Sequence, residues 1–168
     1  MQTNEKCRVR IMVFLHGTTI MHRGGLGRTR AERVKQVANG EDSVEDLWRY
    51  VPIGNAVEKL RTWEAQGASI VYLSSHQVAS AVEADRAVLK RHSFPTGRVL
   101  YREPHGTYQG IVEEVVPDVL IEDDCESIGG ESEMVYPQLR PELKAKITSI
   151  TVPEFAGIDH LPDDIHAL

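Results

Sequence analysis

Three short segments of the chain carry side chains that could do chemistry. They are the acid triplet Glu-Asp-Asp at 122–124, the sequence His-Gly-Thr at 16–18 and the serine pair at 74–75, and each follows an apolar run. Consecutive carboxylates repel one another, and hard divalent cations such as Mg²⁺ take oxygen ligands of this kind. Imidazole exchanges protons near neutral pH, and hydroxyl groups hydrogen-bond anions. One interpretation of the acid triplet is a divalent-metal site that holds a phosphate.

The acid triplet at 122–124 has a second interpretation. Carboxylates are also favourable at helix N-termini, so these residues could cap the element that follows the run. The two interpretations are compatible, because different members of the triplet can serve different purposes.

The elements that must position these residues are visible in the hydrophobic pattern. Apolar and β-branched runs predict five strands, at 8–16, 69–75, 98–101, 118–124 and 147–152. Apolar stripes at helical spacing predict helices at 54–66 and 76–91, and a third from Tyr108 to Val115. Asp85 interrupts the apolar period of the second helix. Alternating strands and helices predict a parallel sheet covered on both faces, with ligands beyond the carboxyl ends of its strands.

Residues 19–52 interrupt this alternation, because a connection between a strand and a helix is usually much shorter. "RAERVKQVANG" and "SVEDLWRYV" are each predicted as a short helix, the second with Ser43 as its N-cap and Asp46 at the capping-box position. The insertion also carries a cluster of basic residues, namely Arg23, Arg28, Arg30, Arg33 and Lys35. The cluster indicates either an anionic ligand above the strand ends or a solvated helix face.

Length and composition limit the class of protein. The 168 residues suit a single domain, 1–168, and the net charge of −6 argues against nucleic acid as a partner. Every apolar run falls short of the roughly 20 residues that a membrane span needs. Cys7 and Cys125 do not make a disulfide framework, so a reduced, cytoplasmic location is expected. The sequence gives no oligomeric state.

Three segments together resemble a known family. "VFLHGTTI", "VYLSS" and "DVLIEDD" are similar to motifs I, II and IV of the haloacid dehalogenase (HAD) superfamily. The resemblance implies a three-layer α/β sandwich with a Rossmann-like parallel sheet of about five strands. It makes the 19–52 insertion a flap and small helical cap. It also implies a Mg²⁺-dependent phosphatase that works through an aspartyl-phosphate intermediate.

The residue-by-residue match departs from the family at the nucleophile. Aligning the Gly-Thr of motif I puts Phe14 at the position of the nucleophilic Asp and His16 at that of the general acid/base. Ser74 matches the motif II residue that binds the phosphoryl group, and Asp123 and Asp124 match the metal-binding acids of motif IV. Because Phe cannot form an acyl phosphate, the usual mechanism is not expected. If chemistry survives, the resemblance implies His16, Ser74 and Asp123 as its catalytic residues.

The remaining positions of the site follow from the same alignment. The motif III Lys is absent, with Gln109 nearest to its position and Arg102 close enough to substitute. The resemblance thus implies a set of residues around an anionic, phosphate-type ligand: Gly17, Thr18, Ser74, Ser75, Arg102 and Gln109.

Three roles remain open for His16. It could act as a general base toward water, or be a structural residue bonded to one of the acids in a retired active site. It could also ligate a metal with Asp123 and Asp124, which would favour Mn²⁺ or Zn²⁺ over Mg²⁺, since imidazole prefers softer cations. The expected function is a degenerate phosphatase site that binds an anionic ligand and a divalent cation. The alternative is an active hydrolase of altered mechanism that uses His16 with the Asp123/Asp124 pair.

Overall fold

The computed structural model describes residues 8–168. Its main strands are β1 Arg10–Phe14, β4 Ser69–Ser74, β5 Arg98–Tyr101, β6 Val119–Asp123 and β7 Thr148–Val152. All neighbouring pairs are parallel, in the order β5-β4-β1-β6-β7. Two further strands, β2 Ile20–Met21 and β3 Val51–Pro52, form a small antiparallel pair in the insertion.

Six α-helices connect the strands. They are α1 Arg30–Ala38, α2 Asp42–Glu45, α3 Ala56–Ala65, α4 Ala79–Arg91, α5 Tyr108–Val115 and α6 Pro141–Lys144. Short 3₁₀ segments occur at Arg23–Gly25, Leu47–Arg49, Gly130–Glu133, Tyr136–Gln138 and Ile165–Ala167. Among these elements, none is a helix of the length and apolar character that a bilayer crossing requires.

Alternate residues of β1 build the two apolar layers, because successive side chains of a strand point to opposite faces. Ile11 and Val13 pack with the α3 and α4 side, which includes Leu60 and Val88. Met12 packs on the other side, with residues of α5 and α6 such as Val112 and Leu143. The predicted α/β three-layer sandwich with a Rossmann-like sheet is therefore confirmed.

The central strand β1 delivers its carboxyl end to a tight turn. The N–H of Gly17 donates to the carbonyl oxygen of Ile20 at 2.9 Å, and Gly17 has φ +82°. A side chain there would be strained, and its Cβ would also lie 3.0 Å from Asp123 Oδ2 and 3.1 Å from Glu154 Cγ. Glycine thus allows the turn to approach the ends of β6 and β7.

Some boundaries differ from the predicted ones. The helix expected from residue 76 begins at Ala79, because the chain is still extended at Val78. Ser43 lies inside α2 rather than at its N-cap, which is Glu41. The two-residue strands of the insertion were not predicted, since so short a segment carries no readable period.

Candidate functional site

A cavity of about 400 Å³ opens at the carboxyl ends of the central strands. Its floor comes from the ends of β1, β4, β6 and β7, and the insertion contributes one wall through residues such as Val44, Leu47 and Tyr50. Within residues 8–168, the lining contains apolar, acidic and histidine side chains but no Lys or Arg. Two polar clusters border this cavity, and they differ in chemistry.

The first cluster, called the acidic group below, consists of Asp123, Asp124 and Glu154. One carboxylate oxygen from each lies within 4.8 Å of the others, and Asp123 and Glu154 are buried. Asp123 accepts hydrogen bonds from Thr18 Oγ1 at 2.7 Å and from the N–H of Cys125 at 2.9 Å. The donor set consists of oxygen atoms only, which suits a hard divalent cation.

Burial makes the acidic group costly in its ionised form. Desolvation raises the pKa of Asp123, although the hydrogen bonds from Thr18 and Cys125 oppose the shift and the charge of Asp124 adds to it. Desolvation also raises the pKa of Glu154, against two hydrogen bonds from Ser127 at 2.7 Å each. Arg30, at the rim, hydrogen-bonds Glu126 and reaches the backbone carbonyl oxygen of Glu154 at 3.4 Å. The group is thus supported by hydrogen bonds but keeps its like-charge repulsion.

Glu122, the first member of the acid triplet, has a structural task. Its two carboxylate oxygens accept from the backbone N–H groups of Val135 and Tyr136, at 2.7 and 2.8 Å. These N–H groups open the 3₁₀ segment Tyr136–Gln138. Glu122 therefore caps a helical segment, as one interpretation of the acid triplet predicts. Asp123 and Asp124 belong to the acidic group instead.

The second cluster, called the hydroxyl–imidazole–carboxylate chain below, consists of Ser75, His16 and Asp85. Ser75 Oγ lies 2.6 Å from His16 Nδ1, and His16 Nε2 lies 2.8 Å from Asp85 Oδ1. The second oxygen of Asp85 accepts from Ser74 Oγ at 2.6 Å. His16 is therefore held between a serine and a buried carboxylate, and it belongs to a different cluster from Asp123 and Asp124.

His76 lies over this chain. Its ring centroid is 4.4 Å from that of His16, and its Nε2 is 3.8 Å from Asp85 Oδ1. This nitrogen is buried and has no hydrogen-bond partner among the described residues. Burial, followed by the proximity of His16, lowers the pKa of His76. The grouping of His16, His76 and Asp85 is also compatible with a metal ion.

The other predicted ligand-binding residues lie in several places. Thr18 and Ser74 are both fully buried. The hydroxyl of Thr18 donates a hydrogen bond to Asp123, and the hydroxyl of Ser74 donates one to Asp85. The guanidinium of Arg102 lies 5.2 Å from the ring centroid of Tyr108, and the amide of Gln109 donates to Glu113 at 3.0 Å. The cavity lining includes His16, Gly17, Ser75 and Asp123 from the predicted set.

Phe14 borders the cavity from the opposite side of β1 to His16. Its ring packs edge-on against Tyr108 of α5, with centroids 5.6 Å apart, whereas His16 turns toward α4. In a strand that continued from residue 14 to residue 16, the two side chains would lie on one side. The strand ends at Phe14, so its twofold period does not extend to His16.

Asp85, His76 and Glu154 were not among the predicted site residues. Asp85 was noticeable in the sequence because it interrupts an apolar helix face. Its hydrogen-bond partner His16 could not be predicted from the sequence. Glu154 comes two residues after β7, at the same edge of the sheet as the acid triplet. Its contact with Asp123 and Asp124 depends on the parallel pairing of β6 with β7. Cys125 is not in a disulfide within the described range, whereas Cys7 lies outside it.

Comparison with known proteins identifies the fold. No family model matches the chain, and no curated protein matches it in sequence. The structure is similar to the class C acid phosphatase from Bacillus anthracis with tungstate bound, at TM-score 0.55 and 14% identity, covering 89% of this chain and 69% of that one. It is also similar to a chain of the Pnkp1/Rnl/Hen1 RNA repair complex, at TM-score 0.55 and 14% identity, covering 90% and 45%. At this identity the likeness shows the fold alone, an α/β fold shared with that class C acid phosphatase.

Proposed function

We propose that this protein binds a phosphate-type anionic small molecule through a divalent cation held by Asp123, Asp124 and Glu154. It does so in a site related to that of HAD-like phosphatases but without their aspartyl nucleophile. The observation that carries the proposal is the acidic group, in which one carboxylate oxygen from each residue lies within 4.8 Å of the others. Two of its members, Asp123 and Glu154, line a cavity that has no Lys or Arg in its lining among residues 8–168.

Electrostatics make the cation the first ligand to bind. A phosphate entering this cavity would meet the acidic group and also Glu45 and Glu133, so repulsion would exclude it. A divalent cation would neutralise the carboxylates and attract a phosphate oxygen. Mg²⁺ is the proposed ion because the three ligands are carboxylates. The missing Cβ of Gly17 leaves room beside Asp123 and Glu154.

Side-chain chemistry argues against the aspartyl-phosphate route. Phe14 stands where the resemblance to motif I expects the nucleophile, and its ring packs against Tyr108. A phenyl ring cannot attack phosphorus or ligate a hard cation. The phosphatase with tungstate bound supports a phosphate-type ligand, since tungstate is also a tetrahedral oxyanion.

The test measures thermal unfolding with Mg²⁺, with inorganic phosphate and with both. Saturation at about 100-fold over Kd stabilises a native protein by about 2.7 kcal/mol, which corresponds to a rise in Tm of roughly 5–10 °C at this size. We expect Mg²⁺ to raise Tm, phosphate alone to have no effect, and phosphate with Mg²⁺ to raise Tm further.

Asp124→Asn supplies the loss of function and Glu131→Gln the control, because Glu131 is an exposed acid outside the acidic group. We expect the first to lose the Mg²⁺ response and the second to keep it. Equal stabilisation by phosphate without any cation would contradict the proposal. So would an unchanged Mg²⁺ response in Asp124→Asn. Aryl phosphate hydrolysis that depends on both His16 and Asp123 would instead favour the hydrolase alternative.

A further inference from the structure

The hydroxyl–imidazole–carboxylate chain has the order of a nucleophile, a base and an orienting acid. Ser75 lies 2.6 Å from one imidazole nitrogen of His16, and Asp85 lies 2.8 Å from the other. Nucleophilic serines are recognised by this arrangement, in which the base contacts the hydroxyl and a third group holds the base. The order of residues along the chain is irrelevant to that recognition.

The hydrogen bonds indicate where the imidazole proton resides. The backbone N–H of Ser75 points at His16 Nδ1 with a separation of 3.4 Å, and an N–H group can only donate. Nδ1 is therefore the acceptor, and Nε2 carries the proton that Asp85 accepts. In this tautomer Nδ1 carries no proton and can take the hydroxyl proton of Ser75.

The surrounding contacts hold His16 and Asp85 in place and leave Ser75 accessible from the cavity. The side chain of Asp85 is only 2% exposed, and its second oxygen is held by Ser74 Oγ at 2.6 Å. Ser74 in turn accepts the backbone N–H of His76 at 3.0 Å. His16 is 14% exposed, whereas Ser75 is an exposed residue that lines the cavity. Burial thus falls from the acid to the nucleophile.

The cavity beside Ser75 suits a neutral, apolar group. Its volume of about 400 Å³ is that of a small-molecule site. The apolar part of its wall includes Phe14, Val44, Leu47, Tyr50, Tyr108 and Ile128. The lining holds acidic residues and no Lys or Arg among the described residues, so it repels an anion. An uncharged substrate is not repelled and can enter without a cation.

We propose that Ser75, His16 and Asp85 form a nucleophilic triad that hydrolyses small carboxylic esters with an apolar acyl group. This activity goes beyond the proposed function and uses none of the acidic group.

The reaction balances with water as the only co-reactant. Ser75 Oγ bonds to the ester carbonyl carbon while its proton moves to His16 Nδ1. The bond from that carbon to the alkoxy oxygen then breaks, and the alcohol leaves with the proton from Nδ1. Water attacks the acyl-serine, gives a proton to Nδ1, and releases the carboxylic acid as Ser75 Oγ recovers that proton. Asp85 holds the imidazole throughout and stabilises its positive charge.

The experiment combines turnover with covalent labelling. Hydrolysis of p-nitrophenyl butyrate is measured in excess EDTA, and a fluorophosphonate probe, which loses fluoride when a serine attacks phosphorus, is followed by intact and peptide mass. We expect turnover with EDTA present and a single adduct on Ser75. Ser75→Ala should lose the adduct and at least about 100-fold in kcat/KM. Its Tm should stay near that of the wild type, since Ser75 is exposed.

Matched variants separate the triad from general effects. Ser80 is an exposed serine at the start of α4. Ser80→Ala should keep both the ester turnover and the adduct on Ser75. Asp85→Asn should lose turnover. An amide N–H that faces Nε2 of His16 makes that nitrogen the acceptor and places the imidazole proton on Nδ1. Nδ1 then no longer accepts the hydroxyl proton of Ser75. Ester hydrolysis is measured in excess EDTA and the proposed function by its Mg²⁺ response, so the failure of one and the failure of the other are distinguishable.

Three results would overturn the inference. One is turnover that survives Ser75→Ala, and another is an adduct on a residue other than Ser75. The third is activity that EDTA removes and Zn²⁺ restores, which would assign His16, His76 and Asp85 to a metal site instead.

Discussion

The two clusters on the cavity wall solve the problem of burying charge in opposite ways. In the hydroxyl–imidazole–carboxylate chain, a single carboxylate is surrounded by donors from His16 and Ser74. In the acidic group, three carboxylates share one place, and burial raises the pKa of Asp123 and Glu154. The carboxylate of the first cluster is balanced by hydrogen-bond donors of the chain, whereas the second cluster keeps a like-charge repulsion that the proposed cation would relieve. Removing an acid should therefore have opposite effects on stability in the two places.

The largest expected effect is from Asp85→Ala. The variant leaves the Nε2–H of His16 and the hydroxyl of Ser74 unpaired in a buried place, so we expect a loss of about 3 kcal/mol in the free energy of unfolding. Urea denaturation at pH 7.5 measures it. Glu83→Ala on the same helix is the control, since it removes only a surface pair with Arg86 and should change stability by no more than about 1 kcal/mol. A loss no greater than that of the control would remove the contrast.

The opposite effect is expected from Glu154→Gln. An amide keeps a carbonyl oxygen for the N–H of Ser127 and an NH₂ group for its hydroxyl, while the repulsion from Asp123 and Asp124 disappears. We expect the metal-free protein to gain about 1 kcal/mol in the free energy of unfolding, which is the Coulomb energy of two like unit charges about 4 Å apart in water. The same variant should lose its thermal response to Mg²⁺. A destabilised variant in EDTA would argue that the acidic group is not strained.

The pH dependence of that gain sharpens the comparison. Glu154 has a folded-state pKa raised above its ordinary 4.5, chiefly by desolvation. Its favourable contribution is thus fully present below pH 4.5 and is lost as pH rises through the raised value. Wild type and Glu154→Gln should be similarly stable near pH 4, and the variant should be the more stable at pH 7.5. Paired urea titrations at the two values check this, and a constant difference would contradict it.

The smallest effect is expected at His76. Its folded-state pKa lies below 6.5, so its contribution is present above pH 6.5 and is lost as pH falls through the lowered value. The groups that act on it are His16, Asp85 and Glu45. Compared with His76→Gln, the wild type should therefore lose more stability between pH 7.5 and pH 5. Equal losses in the two proteins would show that His76 keeps its ordinary titration.

The sequence predicted the fold because each strand carries its own signal. The apolar run of β1, between the equally apolar β4 and β6, defines the sheet and the edge where the polar residues meet. The acid triplet was found in the same way, since a strand end is local information. Individual roles within it were not resolved, because the partners of Glu122 lie in a later loop.

The hydroxyl–imidazole–carboxylate chain shows the limit of such reasoning. Asp85 was visible as an acid on an apolar helix face, but its contact with His16 joins residues 69 positions apart. That contact depends on how α4 packs beside β4 and on where β1 ends. Neither is a property of a short window of sequence.

The paired strands β2 and β3 have a consequence for how this chain can be altered. The insertion leaves the sheet at Ile20–Met21 and returns at Val51–Pro52, and the two ends are hydrogen-bonded neighbours. A segment with adjoining ends can change in length at little entropic cost. Replacing residues 22–50 with a short turn is thus expected to retain the five-stranded sheet and remove one wall of the cavity. The same scaffold is expected to accept exchanged segments, so that the cavity wall is altered independently of the strand ends.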